Sequence, residues 1–192
     1  RDWSSDVCSS DLLNGFAIRG GAYSALIEAA TPAMQRVAHH THETVSLAVA
    51  APGGLNSIAQ VDGTYLLGSR NWVGEFVPLH CSAAGKVLMA FGAAHIPDVL
   101  PARTPETITD RARLDDELAV VRERGFATIR NELEPGLTSV AVAVRDPQGH
   151  VVAAMSVTAP GERLTEQLEV SLARAMSTAL NDSVSPSREG AA

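Results

Sequence analysis

Apolar residues recur every three to four positions in three stretches of the chain, and this spacing predicts amphipathic helices. The first stretch runs from Tyr23 to Thr41 and contains Pro32, which can start a helical turn or kink a helix. The second ends at Gly125, a residue suited to the position after a helix. The third begins near Thr165, and a polar tail follows from Asn181 to Ala192. The apolar positions of the three helices are Leu26, Ala30, Met34 and Val37; Leu114, Leu118 and Val121; and Leu164, Leu168, Leu172, Ala175 and Ala179.

Alternating or continuous apolar segments between these helices predict β-strands. A short helix is also expected from Ser82 to Phe91, with Ser82 as its N-cap, and a further helical turn over Ala94–Leu100. Hairpin-like connections favour an antiparallel sheet with helices packed on it, which is an α+β fold. The predicted strands are Thr44–Ala50, Leu55–Val61, Tyr65–Arg70, Phe126–Asn131, Leu137–Arg145 and His150–Ala159.

The composition is that of an ordinary globular domain. The chain has 192 residues, of which 45% are hydrophobic and 19% are charged. Its formal net charge is −7 and no basic stripe is visible, which argues against a free-standing nucleic-acid binder. No apolar run reaches the roughly 18 residues that a membrane span needs, so we expect no membrane partner. Two cysteines and the lack of a secretory signal pattern favour a cytoplasmic location.

The first twelve residues, Arg1–Leu12, have neither a helical nor a strand period. They resemble the translation of a common sequencing-library adapter, and we expect them not to belong to the native protein. A natural disordered N-terminus is the alternative interpretation. With this segment set aside, Cys81 is the remaining cysteine of the chain.

A candidate ligand-binding surface lies on the hairpin predicted from the last two strands. We expect Arg145 to pair with His150 across the turn, which places Ser139 opposite Ser156 and puts Thr158 on the same face. Small residues leave space above a sheet and hydroxyls orient a polar ligand. A weakly polar face covered by a helix is the alternative. The small-residue face comprises Ser139, Ala141, Ala143, Val152, Ala154 and Ser156, and the opposite face comprises Val140, Val142, Val144, Met155 and Val157.

The segment from His80 to Lys86 offers a second candidate contact. The first turn of a helix has free N–H groups and the positive end of the helix dipole, which suit a small carboxylate. Ala83 and Ala84 are small enough for a ligand to approach this backbone closely. Lys86 could add charge or could face solvent. A phosphate-binding loop is excluded, because its leading glycine is missing and Val87 stands where a hydroxyl should bind magnesium.

The adjacent residues His80 and Cys81 do not favour a catalytic pair. Neighbouring residues on a strand point to opposite faces, so these side chains cannot readily meet. We expect Cys81 to be buried and inert, with a catalytic thiol as the alternative.

Two further clusters favour structural roles over metal binding or catalysis. His39, His40 and His42 lie near a predicted helix end, where they can interact with the helix dipole, and their spacing makes a poor chelate. Glu132 and Glu134 precede a Pro-Gly turn, and we expect both on a solvated turn. The sequence therefore predicts no catalytic residue, no metal site and no cofactor.

Five stretches, in order, resemble the effector-binding domain of the IclR family of bacterial transcriptional regulators. The resemblance implies a GAF-like antiparallel sheet flanked by helices, in a homodimer or tetramer. It also implies that a small effector, a carboxylate or an aromatic acid, binds above the sheet. The matching stretches are His42–Val49 (HETVSLAV), Pro78–Ala90 (PLHCSAAGKVLMA), Val121–Ala127 (VRERGFA), Glu132–Asp146 (ELEPGLTSVAVAVRD) and Val151–Thr165 (VVAAMSVTAPGERLT).

The resemblance also implies which residues contact the effector. Two positions depart from some relatives: Ile129 is apolar where they carry an acidic residue, and Ala83 stands where they carry glycine. The implied contacts are Ala83 and Ala84 at the helix start, Ser139, Ser156 and Thr158 on the hairpin, and Leu66 and Ser69, which close the pocket.

The resemblance divides the chain into an effector-binding domain and its flanks. Residues 13–23 are expected to be a remnant leading into a linker helix, residues 24–182 the effector-binding domain, and residues 183–192 a disordered tail. In the family a winged helix-turn-helix domain binds operator DNA, and we expect this chain to lack it. The function that follows is small-molecule sensing for transcription regulation. A GAF-like thiol enzyme and a pure oligomerisation module are the alternatives.

Overall fold

The computed structural model describes residues 23–65 and 71–184, and these ranges contain four helices and six strands. Helices and strands are interleaved along the chain, as the hydrophobic pattern predicts. In chain order they are α1 (Ser24–Thr41), β1 (Thr44–Ala51), β2 (Gly54–Val61), β3 (Phe76–Val77), α2 (Ala83–Ala90), α3 (Arg111–Arg124), β4 (Phe126–Arg130), β5 (Leu137–Arg145), β6 (Val151–Pro160) and α4 (Glu166–Val184).

The helix boundaries follow the capping signals of the sequence. The Ser82 side chain accepts a hydrogen bond from the Gly85 N–H and so caps α2. Gly125 has a φ of 85° after α3 and donates its N–H to the Val121 carbonyl, a conformation that glycine adopts at little cost. Helix α1 continues through Pro32, so one helix rather than two occupies this stretch.

Four local predictions need correction or lie outside the described residues. Ala94–Leu100 forms bends and irregular backbone, not a helical turn. Helix α4 extends to Val184, past the point at Asn181 where a polar tail was expected. Tyr65 lies in a bend, and the remainder of the strand predicted over Tyr65–Arg70 lies outside the described residues. The two-residue strand β3 has no counterpart among the predicted strands.

All six strands join one antiparallel sheet in the order β3-β2-β1-β6-β5-β4. The predicted α+β class and the GAF-like antiparallel sheet flanked by helices are therefore confirmed. Strand β1 lies beside β6 at the centre, which brings the two ends of the domain together. None of the described helices has the length and apolar character needed to cross a membrane.

The register of the β5–β6 hairpin differs from the predicted one by two residues. Ser139 pairs with Thr158, and Ser156 pairs with Ala141. One residue of the difference arises at the turn, where Gly149 has a φ of 88° and Arg145 pairs with Val151 instead of His150. A bulge next to Arg145 adds the second residue. Because side chains alternate with a period of two, two one-residue shifts restore the predicted face.

The bulge does change the predicted position of one side chain. Val152, expected on the small-residue face, is 39% exposed at the bulge. Val151 instead packs partly against the core on that side. The prediction for Val152 was wrong because a bulge breaks strict alternation.

Each face of the sheet has its own core. Helices α1 and α4 cover what we call the packed face, which carries the branched and larger residues Val140, Val142, Val144, Met155 and Val157, as predicted. Helices α2 and α3 cover the opposite face, the cavity face, where Ala48, Ala141 and Ala154 are buried. The strands thus present large side chains to one layer and small side chains to the other.

Candidate functional site

A cavity lies between the first turn of α2 and the cavity face of the sheet. It offers about 50 Å³ to the centre of a water-sized sphere. One water needs about 10–15 Å³ on this measure, so a few waters or a small organic molecule would fit. The lining residues are Ser46, Ala48, Leu55, Ser57, Trp72, Val77, Ser82, Ala83, Ala84, Ile129, Leu133, Leu137, Ser139, Ser156 and Thr158.

Five residues chosen from the sequence lie together in this cavity. Ala83 and Ala84 form its roof at the start of α2, and Ser139, Ser156 and Thr158 belong to its floor on β5 and β6. The other two, Leu66 and Ser69, lie outside the described residues. The chain separates the α2 residues from the hairpin by more than fifty positions, and the fold brings them to one place.

Small residues on both sides keep α2 close to the floor without filling the cavity. Ala48, Ala141 and Ala154 occupy the floor positions beneath the helix. A Cβ at Gly85 would collide with the Leu79 carbonyl oxygen, so a glycine is required there. The cavity is therefore a consequence of side-chain size at specific positions, because interiors otherwise pack with few voids.

The roof supplies hydrogen-bond donors. Ser82 accepts the Gly85 N–H at 3.2 Å, and the Lys86 N–H bonds to the Ser82 carbonyl at 2.9 Å. In the part of the chain that the structure describes, no acceptor pairs with the N–H of Ala83 or Ala84. Such first-turn N–H groups, at the positive end of the helix dipole, favour an anionic or acceptor group.

Two of the floor hydroxyls are linked in a directed chain. Ser139 Oγ donates to the Val157 carbonyl oxygen at 3.0 Å, and Thr158 Oγ1 donates to Ser139 Oγ at 3.0 Å. These bonds hold both side chains in position across the strand pair. The neighbouring hydroxyl of Ser156 faces the same cavity from the middle of β6.

Two hydroxyls on the other side of the floor were not predicted from the sequence. Ser46 lies on β1 directly opposite Ser156, and Ser57 lies on β2 opposite Ala48. Ser57 is only 3% exposed, and its Oγ has no hydrogen-bond partner among the described residues. Alternation along Thr44–Ala50 separates Ser46 from Val45 and Leu47, so this residue could have been found from the pattern. Ser57 could not, because a bulge at Ile58 in β2 shifts its register against β1.

A buried ion pair adjoins the cavity and corrects two expectations. Lys86 is 1% exposed and does not face solvent, and its Nζ lies 2.7 Å from Glu132 Oε1 and 3.7 Å from Glu117 Oε1. Glu132 is buried as well, not on a solvated turn. Thr107 Oγ1 donates to the Glu132 carbonyl at 2.7 Å and holds the segment in place.

The electrostatics of Glu132 are those of a carboxyl withdrawn from water. Burial raises its pKa, whereas the ammonium of Lys86 and the hydrogen bond from it lower the pKa. Its second oxygen, Oε2, is buried without a hydrogen-bond partner among the described residues. Each of the two buried charges therefore depends on the other to offset its loss of hydration.

The Cys81 thiol lacks the environment of a nucleophile. Burial, with a further contribution from Glu132, raises its pKa to about 11, so the thiol stays protonated at neutral pH. His80 is buried, and its Nε2 donates to the Pro101 carbonyl at 3.0 Å. Burial also lowers the pKa of His80, which keeps the ring neutral. Neither side chain lines the cavity.

The histidines near the end of α1 do not assemble a metal site. His39 and His40 are exposed in the last turn, and His42 caps the helix with a φ of 61°. Across residues 23–65 and 71–184, no group of three or more His, Cys, Asp or Glu side chains could hold a metal ion.

Comparison with known protein families and sequences places the chain in a defined group. Residues 23–184 match the family described as bacterial transcriptional regulator IclR C-terminal. The DNA-binding transcriptional repressor YiaJ of Escherichia coli K12 is 33% identical over 157 residues, covering 77% of this chain and 55% of the repressor. The HTH-type transcriptional repressor AllR of the same strain is 33% identical over 168 residues, covering 81% and 62%. The chain thus spans between half and two thirds of these relatives.

Solved structures share the fold. The crystal structure of transcriptional regulator YaiJ superimposes with a TM-score of 0.73 at 31% identity, covering 82% of this chain and 94% of that one. An IclR homolog from Microbacterium hydrocarbonoxydans, crystallised in complex with 4-hydroxybenzoate, gives 0.76 at 25% identity, covering 90% and 73%.

Proposed function

The chain belongs to the IclR family of bacterial transcriptional regulators, and on that premise we propose that residues 24–182 are a sensor domain for a small carboxylic or aromatic acid. The observation that carries the proposal is the cavity, whose lining combines a helix start with a floor of hydroxyls. At that helix start the N–H groups of Ala83 and Ala84 have no acceptor among the described residues. The acid contacts Ala83 and Ala84 through its carboxylate and the floor through Ser139, Ser156 and Thr158. Leu66 and Ser69 close the pocket over it.

In this proposal the domain works as part of a larger regulator in the cytoplasm. Effector binding favours one geometry of a homodimer or tetramer, because a ligand can shift an equilibrium only through its different affinity for the two states. Operator DNA is contacted through a winged helix-turn-helix domain outside this chain. The net charge of −7 supports the assignment of DNA binding to another domain, since a DNA-binding surface would be basic.

Calorimetric titration with a panel of small carboxylates and aromatic acids tests the proposal. We expect at least one acid to bind saturably, and the substitution Ser156→Phe to abolish that binding by filling the cavity. Val152→Phe is the matched control, because it places the same ring on the same strand at an exposed position outside the cavity. Absence of binding across the panel by a folded wild-type chain would refute the sensor function.

The two alternative functions have less support. A thiol enzyme would need an accessible, ionisable Cys81, whereas this thiol is fully buried with a raised pKa. A pure oligomerisation module would not need a cavity lined by hydroxyls, and natural cores seldom retain one without use.

A further inference from the structure

The hydrogen-bond chain on the floor fixes where its protons point. A carbonyl oxygen only accepts hydrogen bonds, so Ser139 donates its single hydroxyl proton to the Val157 carbonyl. Ser139 therefore accepts from Thr158, whose own proton is then committed to Ser139. The Thr158 oxygen keeps only its lone pairs for any further bond, so this end of the cavity, the acceptor end, requires a hydrogen-bond donor from its occupant.

Other polar groups that line the cavity can donate hydrogen bonds. The N–H groups of Ala83 and Ala84 can only donate. The Oγ of Ser57 is buried and has no hydrogen-bond partner among the described residues, so its proton can donate. Ser57 pairs with Ala48 on β1, four residues along that strand from Thr44, the partner of Thr158. At about 3.4 Å per residue, Ser57 and Thr158 are therefore separated by roughly 13 Å along the strands.

Among the described residues that line the cavity, charge is provided only by backbone dipoles. The described residues that line it include no charged side chain. Lys86, one turn into α2, is committed to Glu132 and does not line the cavity. An anionic group is accordingly held by N–H donors at the roof, and the acceptor end has no charge with which to hold a second anion.

We propose that this cavity selects a small hydroxy acid, with its carboxylate on the Ala83 and Ala84 N–H groups and its hydroxyl donating to Thr158 Oγ1. This inference rests on the proposed sensor function and narrows the class of effector. An acid without a hydroxyl leaves Thr158 without a donor. An acid whose hydroxyl is methylated directs a second acceptor at the Thr158 oxygen, which is worse.

The test compares acids that differ only in the hydroxyl. One series is glycolate, methoxyacetate and acetate, and the other is 4-hydroxybenzoate, 4-methoxybenzoate and benzoate, so that two lengths are sampled. Titration calorimetry on the full chain should give, in at least one series, an affinity for the hydroxy acid at least about tenfold above that for its methyl ether.

Substitutions of Ser139 and Thr158 test whether the direction of their hydrogen bonds sets the ligand preference or whether these bonds only stabilise the fold. In Ser139→Ala the Thr158 proton loses its acceptor and can turn to the ligand, so the preference for hydroxyl over ether should fall below about threefold. Thr158→Val should lose the preference, and Thr158→Ser should keep it. Circular dichroism and thermal unfolding check the fold of each variant. If Ser139→Ala does not fold, the Thr158→Val and Thr158→Ser pair decides the question.

The possible failures are distinguishable. If acids bind but ethers bind as well as hydroxy acids, the hydroxy-acid inference is wrong and the sensor function stands. If Ser139→Ala folds and retains the full preference, the assigned proton direction is wrong. If no acid of the wider panel binds to the folded wild-type chain, the sensor function fails and this inference fails with it.

Discussion

The two faces of the central sheet are made by the same strands yet differ in what they bury. On the packed face, Leu47, Met155 and Val157 fill the space beneath α1 and α4 completely. On the cavity face, the neighbouring residues Ala48 and Ser156 leave a space beneath α2. Alternate residues of one strand therefore differ in role: those on one side fill the core, and those on the other side line a cavity.

The contrast teaches that side-chain size helps to determine where a cavity forms in this fold. Both faces belong to one antiparallel sheet, which carries two register shifts, and both are covered by helices. The cavity face also differs in burying the ion pair of Lys86 and Glu132 next to the site. If the two faces differ in this way, substitutions of the packed-face residues should mainly lower stability, and substitutions of the cavity-lining residues should mainly lower ligand affinity.

The largest loss of stability is expected from Lys86→Met. Removing one partner leaves Glu132 buried without its counter-charge, and breaking a buried pair in this way costs roughly 3–5 kcal/mol. Urea unfolding at neutral pH measures the loss. The double variant Lys86→Met with Glu132→Gln removes both charges and should recover most of it. A single variant as stable as the wild type would mean that the pair contributes nothing to the cavity face.

The pH dependence of the Lys86→Met variant independently tests the direction in which the pKa of Glu132 is shifted. Without Lys86, burial and the charge of Glu117 hold the pKa of Glu132 above its ordinary value, with Arg113 as the smaller, opposing influence. The contribution of Glu132 to stability is fully present when the pH is below its ordinary pKa. This contribution is lost as the pH rises through the raised pKa of the folded state. Relative to the double variant, Lys86→Met should therefore lose stability from pH 4 to pH 8. If the difference in stability between the two variants does not change across this range, the pKa of Glu132 is not raised.

The next largest effect is expected on the packed face, with Leu47→Ala. This side chain is fully buried, and truncation should cost about 2–5 kcal/mol by removing contacts and leaving a void. The adjacent Ser46→Ala, which alters the cavity face, should change the free energy of unfolding by less than about 1 kcal/mol. Ligand titrations should show the reverse order, with Ser46→Ala the more affected. Equal losses of stability at both positions would remove the distinction between the faces.

The smallest effect, and one of opposite sign, is expected from Ser57→Ala. Because the Ser57 Oγ is buried and has no hydrogen-bond partner among the described residues, its removal should leave the ligand-free domain unchanged or more stable by up to about 1 kcal/mol. The matched Ser139→Ala should destabilise it by about 1 kcal/mol, since that hydroxyl makes two hydrogen bonds. Thermal and urea unfolding without ligand measure both. Clear destabilisation by Ser57→Ala would mean that its hydroxyl already has a partner.

The hairpin of β5 and β6 illustrates how far the sequence could predict the site. The period of two assigned Ser139, Ser156 and Thr158 to one face, although the pairs themselves were wrong by two residues. The turn and the bulge each moved the register by one residue. A single such shift would have reversed every side chain, so the correct face depended on both local irregularities occurring together.

The ion pair shows where prediction from the sequence ended. Lys86 and Glu132 are 46 positions apart, and nothing in the local pattern of either indicates a charged partner. A charged residue one turn into a short helix ordinarily reaches solvent. Only the packing of α2 and α3 against the sheet removes both side chains from water and makes each necessary to the other.

The sequence by itself determined the four helices, five of the six strands, the caps of α2 and α3 and the face to which most strand residues belong, because these depend on periodicity and on residues close in the chain. Tertiary structure alone decided that β1 lies beside β6, that Ser57 joins the floor, and that a space remains under the first turn of α2. Those outcomes depend on the relative volumes of side chains distant in the chain, which become neighbours only when the sheet closes under its helices.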